Sequence, residues 1–276
     1  MNFQAKNAII TGGSSGIGLA TAKLLAERGA NIAIIARRQS LLDAALAELE
    51  SLRRSETQRF QTVSADLSLW EEAQAALATV TDKHRPDLLI NSAGIARPGY
   101  FVELPIEIFR ETMDVDFFGT LHACKVVAPM MMTQGHGHIV NISSGAGFLG
   151  IFGYTAYGAA KFAVRGFSDA LRAELKPHGV RVSIVFPPDT DTPQLHEENR
   201  YKPPETRRIS GRIKPIPPEQ VAQAIVQAIE KNRYTVIPGA ELAIYYHLTN
   251  GIQALVHHYM DWIIAGTNEH ADGPQR

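Results

Sequence analysis

Cysteine is almost absent: Cys124 is the single one in 276 residues. One thiol excludes an internal disulfide and a cysteine metal cluster, and it suits a reducing, cytosolic setting. An excess of one charge is missing too. The 27 Lys and Arg balance 28 Asp and Glu, for a formal net charge of −1. Nothing in that balance points to nucleic acid or to an acidic partner. The opening residues, MNFQAKNAIITGG, lack the long apolar stretch of a signal peptide or membrane anchor. No repeat recurs at a period of about 20–50 residues. Metal-ligand patterns are lacking as well. His136-Gly137-His138 reads as a turn before a strand, and no metal is expected.

What is present is the material of a globular enzyme. Hydrophobic residues make up 45% and charged residues 20%, the ordinary balance of a soluble fold. The length suits one sizeable α/β core, so residues 1–276 are expected to form a single domain.

Short apolar runs alternate with longer amphipathic ones. Strands are expected at 8–10, 31–36, 60–64, 87–91, 138–142 and 180–186. These runs are apolar throughout, as in strands covered on both faces. Helical periodicity marks 17–28, 41–52, 69–80, a long stretch around 105–132, 157–176 and 218–231. Strand–helix alternation of this kind predicts a doubly wound parallel sheet with helices on both faces, the Rossmann type. Residues 187–218 break the rhythm with eight prolines and many charges, and read as a loop or short-helix excursion. They follow a strand's carboxyl end, where ligands bind in such sheets, so 188–218 is expected to be a substrate lid.

The first strand runs into Thr11-Gly12-Gly13-Ser14-Ser15-Gly16-Ile17-Gly18 and then into a helix. Glycines permit a tight turn and close approach to a pyrophosphate, and the helix N-terminus offers N–H donors. Gly12, Ser14, Ser15, Gly16, Ile17 and Gly18 are therefore candidate cofactor contacts. The second strand ends in Ala36-Arg37-Arg38. An acidic residue there would suit the ribose hydroxyls of NAD. Two arginines suit an adenosine 2′-phosphate instead, because guanidinium forks match phosphate oxygens. The expected cofactor is NADP(H).

Tyr157 and Lys161 form a YxxxK pattern, which chance alone supplies in roughly one chain of two at this length. Here it opens a helix directly after the strand HIVNI. Reducing a ketone needs a hydride and a proton. A phenol can donate the proton, and Lys161, one helical turn on, is expected to lower the phenol's pKa. The Ser144 hydroxyl can bond the carbonyl oxygen as charge develops on it.

These motifs resemble the TGxxxGxG and YxxxK signatures of the short-chain dehydrogenase/reductase family, and the resemblance spans nearly the whole chain. Ser144 precedes Tyr157 by the family's usual spacing. By the same resemblance Asp66 and Leu67 match an adenine-contacting pair. Asn91-Ser92-Ala93-Gly94 matches an NNAG motif, implicating Asn91, Ala93 and Gly94. Pro187-Pro188-Asp189-Thr190-Asp191-Thr192 matches PGxxxT, implicating Pro187, Thr190 and Thr192 near a nicotinamide. The family's usual Asn in the long helix is replaced by Asp116. There it would hold a water or pair with Lys161, and it joins Ser144, Tyr157 and Lys161 as a catalytic candidate.

Within the family, FPPDTDTPQLHEENRYKPPETRRISG resembles the lid stretch of the subgroup that reduces 3-ketodihydrosphingosine to dihydrosphingosine in sphingolipid synthesis. The implied substrate is a lipid-like ketone with a charged head. Asp189, Asp191, Glu197 and Glu198 are candidates for its ammonium. Phe148, Leu149, Ile151 and Phe152, with the apolar and aromatic C-terminal segment, are candidates for a wall along its tail. A steroid, 3-oxoacyl or other carbonyl reductase, or a protein that only senses NADP(H), are the competing readings. Residues 240–266 are apolar and aromatic, too broken by polar residues to span a bilayer. Two readings stay open for them: a packed or dimer-forming tail, or a peripheral membrane contact from a cytoplasmic enzyme. A homo-oligomer is expected.

Overall fold

A computed structural model describes residues 2–82, 84–211 and 214–248. Seven strands form one sheet: β1 (Asn7–Thr11), β2 (Asn31–Ala36), β3 (Phe60–Ser64), β4 (Leu88–Asn91), β5 (Gly137–Ile142), β6 (Val180–Val185) and β7 (Thr235–Val236). Their order is β3-β2-β1-β4-β5-β6-β7, and every pairing is parallel. The helices are α1 (Gly16–Glu27), α2 (Gln39–Ser51), α3 (Trp70–Thr81), α4 (Ile106–Met113), α5 (Gly119–Gln134), α6 (Thr155–Leu175), α7 (Pro193–Tyr201), α8 (Pro204–Ser210) and α9 (Pro218–Lys231). Residues 240–248 are also helical.

Successive strand side chains point to opposite faces. On one face Ile10, Ile32, Ile34 and Ile90 meet α1, α2 and α9 through Leu25, Leu42, Leu49 and Ile225. On the other Ile9, Ile35, Leu89 and Ile139 meet α3, α5 and α6 through Leu77, Val127, Met131 and Leu175. Most of these side chains are wholly buried, and each such burial contributes about 1.5–3 kcal/mol. The chain runs outward from β1 in one direction and from β4 in the other. The carboxyl ends of β1 and β4 therefore flank the switch point where a doubly wound sheet opens a crevice.

Two features depart from the expected elements, and the short-helix reading of the insert is made definite. β7 completes the sheet edge and was not expected. The proline-rich insert contains two helices, α7 and α8, each begun by a proline at its first position, where the missing N–H costs nothing. The long helix is interrupted by a π turn at Asp114–Phe118. The Asp116 carbonyl there accepts a bond from the Thr120 hydroxyl at 2.8 Å. No helix among the described residues is long and apolar enough to cross a membrane. Most of the expected tail element, beyond residue 248, lies outside the described residues.

Candidate active site

Every position expected to hold cofactor borders one cavity of about 770 Å³, except Gly18 and Asn91. Gly12 turns the chain at φ +66°, and a Cβ on it would lie 2.6 Å from the Ala93 backbone. Glycine is thus required twice over, by conformation and by space. Gly18 packs on the same turn, where a Cβ would meet the Gly12 carbonyl at 2.5 Å. The first turn of α1 holds no acidic residue and Ser15 makes no side-chain cap, so its amides face the cavity uncontested. That is the chemistry a pyrophosphate requires, and these residues fit a dinucleotide.

At the end of β2, Arg37 and Arg38 border the cavity. Arg37 lies 3.6 Å from Asp66. The Asp66 carboxylate also accepts from the Ser68 amide at 3.0 Å and the Ser68 hydroxyl at 2.7 Å. Partial burial works against its ionisation, but Ser68 and Arg37 outweigh it and hold the carboxyl below its ordinary range. Asn91 is buried beneath the cavity floor. Its amide donates to Asn141 at 2.8 Å and to the Cys124 sulfur at 3.3 Å, so it ties β4 to β5 and α5. Burial pushes the Cys124 thiol up to about 12.

The ends of β5 and α6 bring Ser144, Tyr157 and Lys161 to the same cavity. The Ser144 hydroxyl is near enough to the Tyr157 phenol to favour its ionised form, and it accepts from the Ala146 amide at 3.2 Å. Lys161 is buried, with its ammonium 3.2 Å from the Asp116 carboxylate and donating to the Ile142 carbonyl at 3.2 Å. Asp116 is fully buried and also accepts from the Ile95 amide at 2.7 Å. Burial raises its carboxyl from the ordinary value, against the pull of Lys161 and the Ile95 amide. Of the two roles expected for Asp116, the structure has the pairing with Lys161.

The expected lowering of the Tyr157 phenol is not what the structure has. Burial raises it well above its ordinary value, as do the charges of Glu198 and Asp116, and only the Ser144 hydroxyl opposes them. The ammonium that was to lower it sits 5.5 Å from the Tyr157 ring and is turned to Asp116. A phenol held protonated remains suited to donate a proton.

The insert closes the cavity with α7 and α8. Thr192 caps α7 by accepting from the Leu195 amide at 3.3 Å, and its methyl faces Gly16. Thr190 donates to the Pro188 carbonyl at 2.9 Å. Long-range bonds dock the insert: Thr206 to the Phe152 carbonyl at 2.9 Å, and Tyr100 to Glu205 at 2.9 Å. Three of the four ammonium candidates are occupied. Asp189 pairs with buried Lys202 at 3.2 Å, Asp191 with His196 at 2.8 Å, and Glu197 with Arg200 at 2.9 Å. Asp189, Glu197 and Glu198 all border the cavity, and of the four Glu198 alone is buried.

The expected apolar wall is only half there. Leu149 and Ile151 border the cavity. Phe148 is instead a core residue against Phe186 and Tyr246, and Phe152 stacks edge-on with Tyr100. Leu242 and Tyr245, from the apolar segment at 240–266, border the cavity as a tail wall would, while Tyr154 and Gln194 also border it and were missed. Tyr154 stands one helical turn before Tyr157, a signal that could have flagged it.

A family model described as short chain dehydrogenase matches residues 6–203. The 3-ketodihydrosphingosine reductase of Dictyostelium discoideum is 37% identical, over 95% of this chain and 83% of that protein. The mouse protein of the same name is 40% identical, over 81% of this chain and 68% of that one. Among solved structures, a short chain dehydrogenase from Burkholderia cenocepacia in complex with NADP is 26% identical, with a TM-score of 0.76 over 94% of this chain and 99% of that one. A Streptomyces avermitilis short-chain dehydrogenase is 27% identical, with a TM-score of 0.77 over 98% and 100%. With its glycine turn, its Ser–Tyr–Lys set and its sheet order all in place, the chain belongs to the short chain dehydrogenase family.

Proposed function

We propose that the protein reduces 3-ketodihydrosphingosine to dihydrosphingosine with NADPH, as one domain whose insert at 188–218 serves as a substrate lid. The observation that carries this is the union of three chemistries around one cavity. Arg37 and Arg38 suit a 2′-phosphate, Ser144, Tyr157 and Lys161 suit a carbonyl, and Leu149, Ile151, Ile209 and Leu242 suit an alkyl chain. The substrate itself is supported by the names of the relatives from Dictyostelium and mouse.

The nicotinamide supplies the hydride when the cofactor is bound. The chain's own groups do the rest. The glycine turn and the start of α1 hold the pyrophosphate, and the arginine pair selects NADPH over NADH. Ser144 donates to the ketone oxygen, and Tyr157 passes its phenol proton to that oxygen. Lys161, held by Asp116 and the Ile142 carbonyl, would hold the nicotinamide ribose. Thr192 and Pro187 bound the space where the nicotinamide is oriented. Exposed Ile244, Tyr245 and Leu248 support a peripheral contact with lipid, and exposed Phe118 and Phe162 support self-association.

The test is kcat/KM for 3-keto amines of increasing chain length beside matched 3-oxoacyl thioesters. Each methylene buried contributes about 0.8 kcal/mol, or roughly fourfold in kcat/KM, so a steep rise with length is expected for the amines. Short amines or thioesters reacting as well as the long amine would leave only general ketone reduction.

A further inference from the structure

Glu198 lies on α7 with 6% of its surface exposed. Its carboxylate accepts from the Tyr154 hydroxyl at 3.0 Å and from the Gln194 amide at 3.0 Å. Both donors are neutral. Lys202, one turn further along and itself buried, gives its ammonium to Asp189. A buried carboxylate bonded by neutral donors, with the nearby ammonium bound to another carboxylate, is only partly compensated, and such burial is costly. Burial pushes its carboxyl up from the ordinary range, against the bonds from Gln194 and Tyr154 and the charge of Lys202. The charge also stands beside the proton donor. Tyr154, which holds it, stacks its ring 5.7 Å from that of Tyr157, and Glu198 ranks second only to burial in holding up the Tyr157 phenol.

We propose that Glu198 is the residue that recognises the ammonium beside the reacting ketone, so that the site selects long-chain 3-keto amines over neutral 3-oxo compounds. The inference rests on the ketone-reductase reading above and deepens it. In a 2-amino-3-ketone the nitrogen and the carbonyl oxygen are separated by three bonds, so they arrive about 3 Å apart. A cavity that receives the oxygen at Ser144 and Tyr157 must meet the cation close by. Tyr154 and Gln194 fix the carboxylate beforehand, so little ordering remains when the cation arrives. A desolvated carboxylate facing a substrate without a cation stays unpaired, and that asymmetry discriminates more strongly than an apolar contact does. The ammonium also cancels the charge that holds up the phenol. The correct substrate therefore eases proton transfer, and the selectivity appears in kcat as well as in KM.

The experiment compares kcat/KM with NADPH for 3-ketodihydrosphingosine and for its deamino counterpart, a 1-hydroxy-3-ketone of equal chain length. The wild-type protein is expected to prefer the amine by at least about 100-fold. In Glu198→Gln, which keeps an acceptor for Tyr154, that ratio is expected to fall by about 10-fold or more, with Glu198→Asp intermediate. A wild-type ratio near one overturns the assignment without any variant, so a variant that fails to fold leaves it testable. A ratio unchanged in Glu198→Gln overturns it equally. Turnover of neither ketone by the wild-type protein would instead fell the reductase reading, and this inference with it.

Discussion

The two walls of the cavity are built by different means. On the β1–α1 side, a few consecutive residues make the site with their own backbone: Gly12 at φ +66° against Ala93, and the uncontested amides of α1. On the α7–α8 side, the wall is a strongly charged insert held by bonds that span many residues. Thr206 reaches back to Phe152, Glu205 to Tyr100, and Glu198 to Tyr154. The first wall presents backbone that hardly depends on substitution elsewhere. The second presents side chains whose availability depends on every neighbouring pair. Cofactor binding should therefore be robust to changes in the insert, while substrate selection should not.

The sharpest separation of the two is expected from Tyr157→Phe. Loss of the proton donor should lower kcat by about 10²–10⁴-fold, the usual contribution of a positioned acid, while the Kd for NADPH from fluorescence titration stays nearly unchanged. Near-wild-type kcat would remove Tyr157 from its proposed role. The next largest effect concerns the first wall. Replacing Arg37 and Arg38 together by Ala should cost NADPH about 2–5 kcal/mol, since a bond to a charged group contributes roughly 1.5–3 kcal/mol. The KM for NADH should move far less, and equal shifts for both cofactors would show that the pair does not read the phosphate. The smallest effect tests the second wall. Thr206→Val removes the hydroxyl that docks α8 on the Phe152 carbonyl. About 1–3 kcal/mol of desolvation is then left uncompensated. Ketone KM should rise with NADPH Kd unmoved, and a parallel loss in both would deny that the walls act separately.

Much of the frame was legible beforehand. β2, β3 and α9 occupy the expected ranges; for β2 and α9 the reason is that a strand buried on both faces is a continuous apolar run and a helix of period 3.6 announces its own face, whereas β3, Phe-Gln-Thr-Val-Ser at the sheet edge, is only partly buried. β7 was not legible. Two residues carry no periodicity, and their pairing with β6 is decided by what β6 leaves open. Short helices were one reading of the insert, but charge and proline hid the bounds of α7 and α8, although Pro193 and Pro204 mark their starts. Within the site, the motif residues were placed by spacing alone. The expectation that Lys161 lowers the phenol failed because adjacency on a helix does not say where an ammonium points. Asp116, 45 residues away in sequence and aimed by a π turn, takes it.

By itself, then, the sequence determined the doubly wound fold, the glycine turn and the order in which serine, tyrosine and lysine reach one cavity. Each of these is written in contacts between near neighbours or in the periodicity of burial. Only the tertiary structure decided which acidic residues of the insert are paired with Lys202, His196 and Arg200, and that Glu198 borders the cavity buried and without such a pair. It likewise decided that Phe148 belongs to the core beside Phe186 and Tyr246 rather than to the substrate wall. The physical reason is range. Propensity and patterning act over a few residues, whereas ion pairing and burial depend on groups brought together from distant parts of the chain.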